Sequence, residues 1–397
     1  MASLRSIRDR NGEIIDNGLV LWMPGPASFT GEDSAEFQVH GGRAVVSGLV
    51  EVLGGLDGLR PADAGEFARR AFMNGKLDLT EVEGLADLID AETVGQRRQA
   101  LRQMEGAAGQ IVEDFRARLI GILALSEVGM DFVDEDDVPA GIADKVIPEI
   151  AALRSDMAVY LDDGRRGEMI REGLTVVIAG PPNAGKSSLM NALARRDVAI
   201  VSDIPGTTRD AIEVRLDLAG VPVALVDTAG IRETSDVVEV EGVRRAEEYA
   251  RRGDLVLWMS ESGTAPVSGV GSRADTWHLS SKIDVSGSKA GQLQSGYYGI
   301  SAKTGEGIGA LLEGLSDWVE NRIGAGTDSL ITRTRHRREI ERAVDALGKA
   351  ERLDYLGQGD VLAEELRLAA DGLGRITGRI DVEDVLDAIF GQFCIGK

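Results

Sequence analysis

Gly180-Pro-Pro-Asn-Ala-Gly185-Lys186-Ser187 has the spacing of a loop that wraps phosphate groups. Glycines let backbone N–H groups turn inward, the lysine sets a point charge beside the β/γ oxygens, and the serine hydroxyl suits magnesium. Asn183, Ala184, Gly185, Lys186, Ser187 and Ser188 are the candidate phosphate cradle. Downstream, Asp227-Thr228-Ala229-Gly230 supplies a carboxylate for a magnesium-bound water and an amide, that of Gly230, for the γ-phosphate. Between them Gly206-Thr207-Thr208-Arg209-Asp210 stands where a switch loop needs a hydroxyl on magnesium, and Thr208 is favoured over its neighbour. Ser281-Lys282-Ile283-Asp284 stands where a guanine-reading Asn-Lys-x-Asp is expected. Asp284 can accept from guanine N1 and N2, Lys282 is retained, and Ser281 replaces a loop-bracing amide. Ser301-Ala302-Lys303 resembles the loop that packs on the base. In this order the motifs imply magnesium-dependent GTP binding and hydrolysis. Ile231 follows Gly230, where Ras-like GTPases carry a water-orienting Gln, so another group must orient the water. Glu233, Asp236, Glu239 and Glu241 are the candidates, and a solvated acidic face is the ordinary fate of most of them.

The cradle needs a strand before it and a helix after it. The apolar run at 174–179 and the helix-forming run at 188–193 provide both. Further strand-like runs at 221–226, 255–259, 277–280 and 298–300 alternate with helical ones, which predicts a mostly parallel sheet with crossover helices. The stretches 262–274 and 285–296 read as Gly/Ser-rich surface loops. Residues 1–80 mix a strand-like run at 19–22 with turn-rich segments and predict a small α+β domain. From 81 to 172 the apolar residues fall at helical spacing, with Val82, Leu85, Ala86, Leu88 and Ile89 in one stripe and Ile111, Phe115, Leu119, Ile122 and Leu123 in another. Helical texture returns over 324–397, where Val382, Val385, Leu386, Ile389, Phe390 and Phe393 mark one buried face after an N-cap at Asp381. The predicted architecture is an α/β P-loop domain (173–323) inserted in an all-helical domain (81–172 and 324–397), preceded by the α+β domain.

Bulk properties narrow the partners. Sixty-six acidic against 44 basic residues give a net charge of −22, which excludes attraction of the whole molecule to nucleic acid. Any RNA contact must use a local patch or a partner's surface. Arg333, Arg335, Arg337 and Arg338 form the densest basic cluster outside the switch segments, and a charged helix start explains it equally well. The longest apolar run, 119–125, is too short for a bilayer, and the first residues lack an apolar leader. One cysteine, Cys394, permits no internal disulfide and fits a reducing cytoplasm; its role as buried thiol or pocket residue stays open. Three histidines and one cysteine do not make a zinc cluster, and the acidic run 131–137 lacks the pattern of a calcium loop.

The chain resembles the tRNA modification GTPase family MnmE (TrmE) over nearly its whole length. The resemblance is carried by Ser28-Phe-Thr-Gly-Glu-Asp33, His40-Gly41-Gly42, Gly65-Glu66-Phe67, Arg70-Ala-Phe-Met-Asn-Gly-Lys-Leu-Asp-Leu79, Ala86-Asp-Leu-Ile-Asp-Ala91, the phosphate loop with Asn183, the Gly206–Asp210 motif and Phe393-Cys-Ile-Gly-Lys397. It implies a homodimer held by N-terminal domains and a complex with a GidA (MnmG)-type flavoprotein, through which tRNA is reached. Together these would add a (carboxymethyl)aminomethyl-type group to C5 of the wobble uridine. The resemblance also implies potassium bound by Asn183, Glu239 as the acid that orients water, and catalysis shared with Lys186. A tetrahydrofolate derivative would bind the N-terminal domain, with Arg70, Lys76 and Lys397 as pocket candidates. Family members normally carry a glycine-rich strand–helix segment before the equivalent of Ser3; it supplies part of the folate pocket and dimerising sheet, and this sequence lacks it. The alternative is a ribosome-assembly or RNA-binding switch of the Era/EngA type, which would carry a basic RNA module or a second G domain; a scaffold that binds nucleotide without turnover is a third reading.

Overall fold

The computed structural model describes residues 2–131, 143–200, 213–227, 253–261, 275–324, 331–355, 357–380, 386, 389–391 and 393. The chain divides into two compact units, one of Met1–Ile89, Leu101–Met157 and Arg338–Lys397, the other of Asp90–Ala100 and Ala158–Arg337.

The first unit opens with three antiparallel strands, β1 (Ala2–Arg8), β2 (Ile14–Met23) and β3 (Ser34–Gln38), in that order across the sheet. The Asp9 carboxylate closes the first turn by accepting the N–H groups of Asn11 at 2.9 Å and Glu13 at 2.7 Å. Helices α1 (Arg43–Gly54), α2 (Glu66–Met73) and α3 (Leu79–Ile89) follow, then α4 (Val94–Met104), α5 (Ala107–Asp131) and α6 (Ala143–Glu172). Both α4 and α6 contribute residues to each unit.

The second unit is built on a seven-stranded sheet. In chain order its elements are β4 (Leu174–Ala179), α7 (Lys186–Leu193), β5 (Glu213–Leu218), β6 (Val221–Asp227), β7 (Leu255–Ser260), β8 (Asp275–Ser280), α8 (Ile283–Ser286), β9 (Gly291–Gln294), β10 (Tyr297–Gly299) and α9 (Ile308–Ile323). The sheet order is β5-β6-β4-β7-β8-β10-β9, and the five inner strands are parallel while β5 and β9 run antiparallel at the edges. The central strands β4, β6 and β7 are rich in buried Val, Leu and Ile, as strands covered by crossover helices are. Leu189, Met190 and Leu193 of α7 and Leu311, Leu315 and Val319 of α9 pack on the side that carries Val176, Ile178, Leu225 and Leu257. The stretch 285–296 is not all loop. It holds the end of one helical turn and strand β9, whose pairing with β10 uses backbone groups that Gly/Ser composition does not advertise. The stretch 262–274 lies outside the described residues.

Two further helices, α10 (Thr334–Ala350) and α11 (Gly359–Thr377), complete the described elements. In the first unit α11 packs on α5, and the Tyr355 hydroxyl donates to the Ser126 carbonyl at 3.0 Å. Leu386, Ile389, Phe390 and Phe393 from the predicted apolar face share one core with Ala68, Leu79, Val82 and Ala86. Asp381, Val382 and Val385 lie outside the described residues.

Candidate nucleotide site

Parallel strands deliver the loops that follow them to one edge of a sheet, where ligands of α/β folds bind. Here β4, β6, β8 and β10 bring the phosphate loop, Asp227, Ser281-Lys282 and Ser301 to that edge. Gly180 leaves β4 with φ +146, and a Cβ on it would stand 2.2 Å from the Met259 carbonyl oxygen of β7, so no other residue fits. Asn183, exposed on the loop, has φ 63, and Gly185 has φ 97 at the N-cap of α7. Successive turns of this hand point backbone N–H groups into a common hollow at a helix N-terminus, the place that favours an anion.

Lys186 is buried, and its ammonium folds back on its own loop, donating to Gly180 O at 2.8 Å and Pro181 O at 3.0 Å. Burial pushes its pKa below the ordinary 10.5, against the opposing pull of the Asp227 charge. Ser187 donates its hydroxyl to Asp227 Oδ2 at 3.0 Å, and Asp227 is fully buried. A hydroxyl and a carboxylate oxygen at one helix N-terminus are hard donors of the kind magnesium takes. Ala184 and Ser188 flank these groups, the first buried and the second exposed.

On the base side Ser281 gives its N–H to Ser260 O at 2.9 Å, yet its hydroxyl, nearly fully buried, has no hydrogen-bond partner among the described residues. Lys282 adopts φ 55, and its ammonium pairs with Glu261. Asp284 of α8 accepts the Ser301 hydroxyl at 2.7 Å. Ser301 is fully buried and further fixed by its backbone, donating to Glu306 O at 2.9 Å and accepting from Gly305 N at 2.9 Å. Ala302 and Lys303 continue this turn, with Lys303 exposed. Thr208, Gly230, Ile231, Glu233, Asp236, Glu239 and Glu241 lie outside the described residues. The sequence motifs did not point to Met259, whose carbonyl forces the glycine, or to Glu261; both sit at the end of a predicted strand, and neither has a motif of its own.

A separate cavity of about 320 Å³ lies in the first unit beside α2. Arg70 bridges Glu32 at 2.9 Å and Glu66 at 2.8 Å, and Arg60 donates to Glu66 at 2.8 Å. The Asp63 N–H, Arg70 and Arg60 together bring the Glu66 pKa down to about 2. Asn74 and then Arg70 lower that of Glu32. Of the folate candidates, Arg70 lines this cavity, Lys76 does not line it and donates to Pro26 O at 3.0 Å, and Lys397 lies outside the described residues, as does Cys394. Arg60 was not singled out in the sequence, whereas Glu32, Glu66 and Asn74 fall in its motif stretches. In the second unit Arg337 pairs with Glu168 at 3.1 Å, and Arg335 lies 3.1 Å from the His336 ring, so two members of the basic cluster are engaged by their own fold.

The sequence matches two family models, the MnmE helical domain over residues 79–394 and the GTP-binding protein TrmE N-terminus over residues 1–76. It is 54% identical to a tRNA modification GTPase MnmE of Parvibaculum lavamentivorans, covering 96% of this chain and 87% of the relative. Proteins of the same name from Bradyrhizobium sp. and Methylobacterium sp. are 52% and 50% identical, over 98% and 100% of this chain and 88% and 90% of theirs. With a phosphate loop, a magnesium-suited Ser187–Asp227 pair and these matches along its length, the chain belongs to the tRNA modification GTPase MnmE family.

Proposed function

We propose that this GTP hydrolase is potassium-activated and works with a GidA (MnmG)-type flavoprotein to add a (carboxymethyl)aminomethyl group to C5 of the tRNA wobble uridine. The observation that carries the reading is Ser187 of the phosphate loop donating to Asp227 at the end of β6, with Lys186 and an exposed Asn183 on the same loop as Ser187. Lys186 would exchange its two loop carbonyls for phosphate oxygens. Ser187, Thr208 and Asp227 would hold magnesium directly or through water, and Asn183 would hold potassium; the cations supply positive charge where phosphate charge grows. The Gly230 amide would meet the γ-phosphate, and Glu239 would orient the attacking water, since Ile231 cannot. Asp284, with Lys282 and the Ser301–Lys303 turn, would select guanine.

Residues 1–80 are proposed as the dimerising and folate-binding domain, 81–172 with 324–397 as the helical domain, and 173–323 as the inserted G domain. Exposed Leu4, Ile14, Trp22, Val46 and Val50 on β1, β2 and α1 support a homodimer through this region. The Arg70 cavity offers charged and apolar groups, including Phe390, to the glutamyl and ring portions of a tetrahydrofolate derivative, which would supply the one-carbon unit. No described helix is long and apolar enough to cross a membrane, and a cytoplasmic site of action is proposed. The test is mass spectrometry of tRNA from cells lacking the protein, complemented with wild type or Lys186→Ala. Loss of the C5 group at the wobble uridine, restored by wild type alone, is expected. An unaltered wobble uridine in the deletion would overturn the reading.

A further inference from the structure

The start of α4 grips the turn of the β5–β6 hairpin. Ala219 and Gly220 form that turn with φ 53 and φ 83, a two-residue connection whose hand matches the twist of the strands. The Gly220 N–H goes to Asp217 Oδ1 at 2.9 Å. Its carbonyl receives the Thr93 hydroxyl at 2.6 Å. Gly95 comes so near that a Cβ on it would meet the same oxygen at 2.2 Å. Beside them Arg215 of β5 donates to Glu92 at 2.7 Å. Thr93 is 5% exposed, and Gly220 and Gly95 are half-buried beside it.

The gripping residues are themselves fixed by a reciprocal cap. Gln96 Oε1 accepts the N–H groups of Glu92 at 2.8 Å and Thr93 at 3.1 Å, while Thr93 Oγ1 accepts the Gln96 N–H at 3.2 Å. A hydroxyl can do both because it has one proton to give and two lone pairs. Gln96 Nε2 then donates to Arg171 O at 2.9 Å, tying the cap to the helix that precedes β4.

The far end of the hairpin is the nucleotide site. β6 terminates at Asp227, opposite Ile178 of β4, and Asp227 takes the Ser187 hydroxyl. A strand is stiff along its axis, so a turn that slides carries its last residue with it, and a slip of one residue turns that side chain to the other face. We propose that Thr93 and Gly95 are positioning residues for GTP hydrolysis, holding the β5–β6 turn so that Asp227 stays opposite Ser187. The proposal rests on the reading of Lys186, Ser187 and Asp227 as the hydrolytic site.

The experiment compares kcat, KM and melting temperature of the full chain as wild type, Thr93→Val, Thr93→Ser, Gly95→Ala and Gln96→Ala. Thr93→Val is expected to lower kcat about tenfold with KM within about twofold, and Gly95→Ala to act in the same direction. Thr93→Ser keeps the hydroxyl and should restore kcat to within about twofold of wild type. Gln96→Ala removes the cap that fixes Thr93 but keeps the Thr93 hydroxyl, so its kcat should fall less than that of Thr93→Val. Wild-type kcat in Thr93→Val, or a Thr93→Ser variant as slow as Thr93→Val, would overturn the proposal. If Gly95→Ala does not fold, the Thr93 pair decides. A wild type that hydrolyses GTP no faster than Lys186→Ala would refute the site itself, and the positioning role with it.

Discussion

Ser301 donates its hydroxyl to Asp284 at 2.7 Å, so the carboxylate proposed to read guanine is aimed by a buried residue of a different loop. Hydrogen bonds to a charged group contribute about 1.5–3 kcal/mol when one partner is removed. Ser301→Ala should therefore reduce the preference for GTP over ATP by roughly tenfold or more. Competition of both nucleotides against a fluorescent guanine nucleotide measures it. An unchanged ratio would mean that Asp284 holds its place without help.

The Ser281 hydroxyl is buried with no hydrogen-bond partner among the described residues, which costs stability. Replacing it by a methyl hydrogen should leave stability unchanged or raise it by about 1 kcal/mol, which thermal melting can read. Ser281→Asn restores a bracing amide and should tighten GTP binding in titration; weaker binding would show that the pocket has closed around the smaller side chain.

Gly180→Ala places a methyl group against the Met259 carbonyl at a φ that L-residues avoid. Loss of about 2 kcal/mol or more of stability is expected, together with loss of nucleotide binding. Melting and titration on the same sample check both, and an alanine variant that binds GTP normally would contradict the packing described.

Glu66 carries the pH prediction. Its folded pKa, about 2, lies below the ordinary 4.5, so the ionised form is the one that stabilises the fold. That contribution is complete above 4.5 and is lost as pH falls through about 2. Carbon NMR of the Glu66 carboxyl should give a midpoint near 2, moved upward in Arg70→Ala. A wild-type midpoint at the ordinary value would remove the Arg60–Glu66–Arg70 clamp from the account.

Hydrolysis should be faster in potassium than in matched sodium by about tenfold or more, and Asn183→Ala should erase the difference by lowering the potassium rate. Ile231 stands where a water-orienting side chain is expected and no arginine finger is evident in the sequence, so a cation has to supply the missing positive charge. Equal rates in the two salts would end the potassium mechanism and leave GTP hydrolysis standing.

Strands β4, β6 and β7 were legible because each is a short apolar run, and the run at 174–179 coincides with β4 to the residue. Asp227 and Ser187 stood out in the sequence because phosphate and magnesium chemistry demands particular residue types at fixed spacing, and the fold brings the two within hydrogen-bond distance. Strand β9, Gly-Gln-Leu-Gln, was not, because an edge strand is held by the backbone of its neighbour and needs little apolar content. The contact of Thr93 with Gly220 was also hidden. A capping threonine reads the same whether its hydroxyl serves only its own helix or also a hairpin 127 positions away, and only folding distinguishes the two. The cavity beside α2 was legible in part: Glu32 and Glu66 fall in the motif stretches, but Arg60 approaches Glu66 from a loop without any pattern.

The core that joins Ala68, Leu79, Val82 and Ala86 to Leu386, Ile389, Phe390 and Phe393 has a consequence in time. A ribosome makes the first four side chains early and the last four late, after every strand of the nucleotide sheet has emerged. The strands of the GTP-binding unit are thus made while Leu79 and Val82, fully buried in the finished fold, still lack four of their core partners. Apolar surface held open through so much of synthesis is what chaperones recognise. The core is thus shared by side chains about 300 positions apart in the chain.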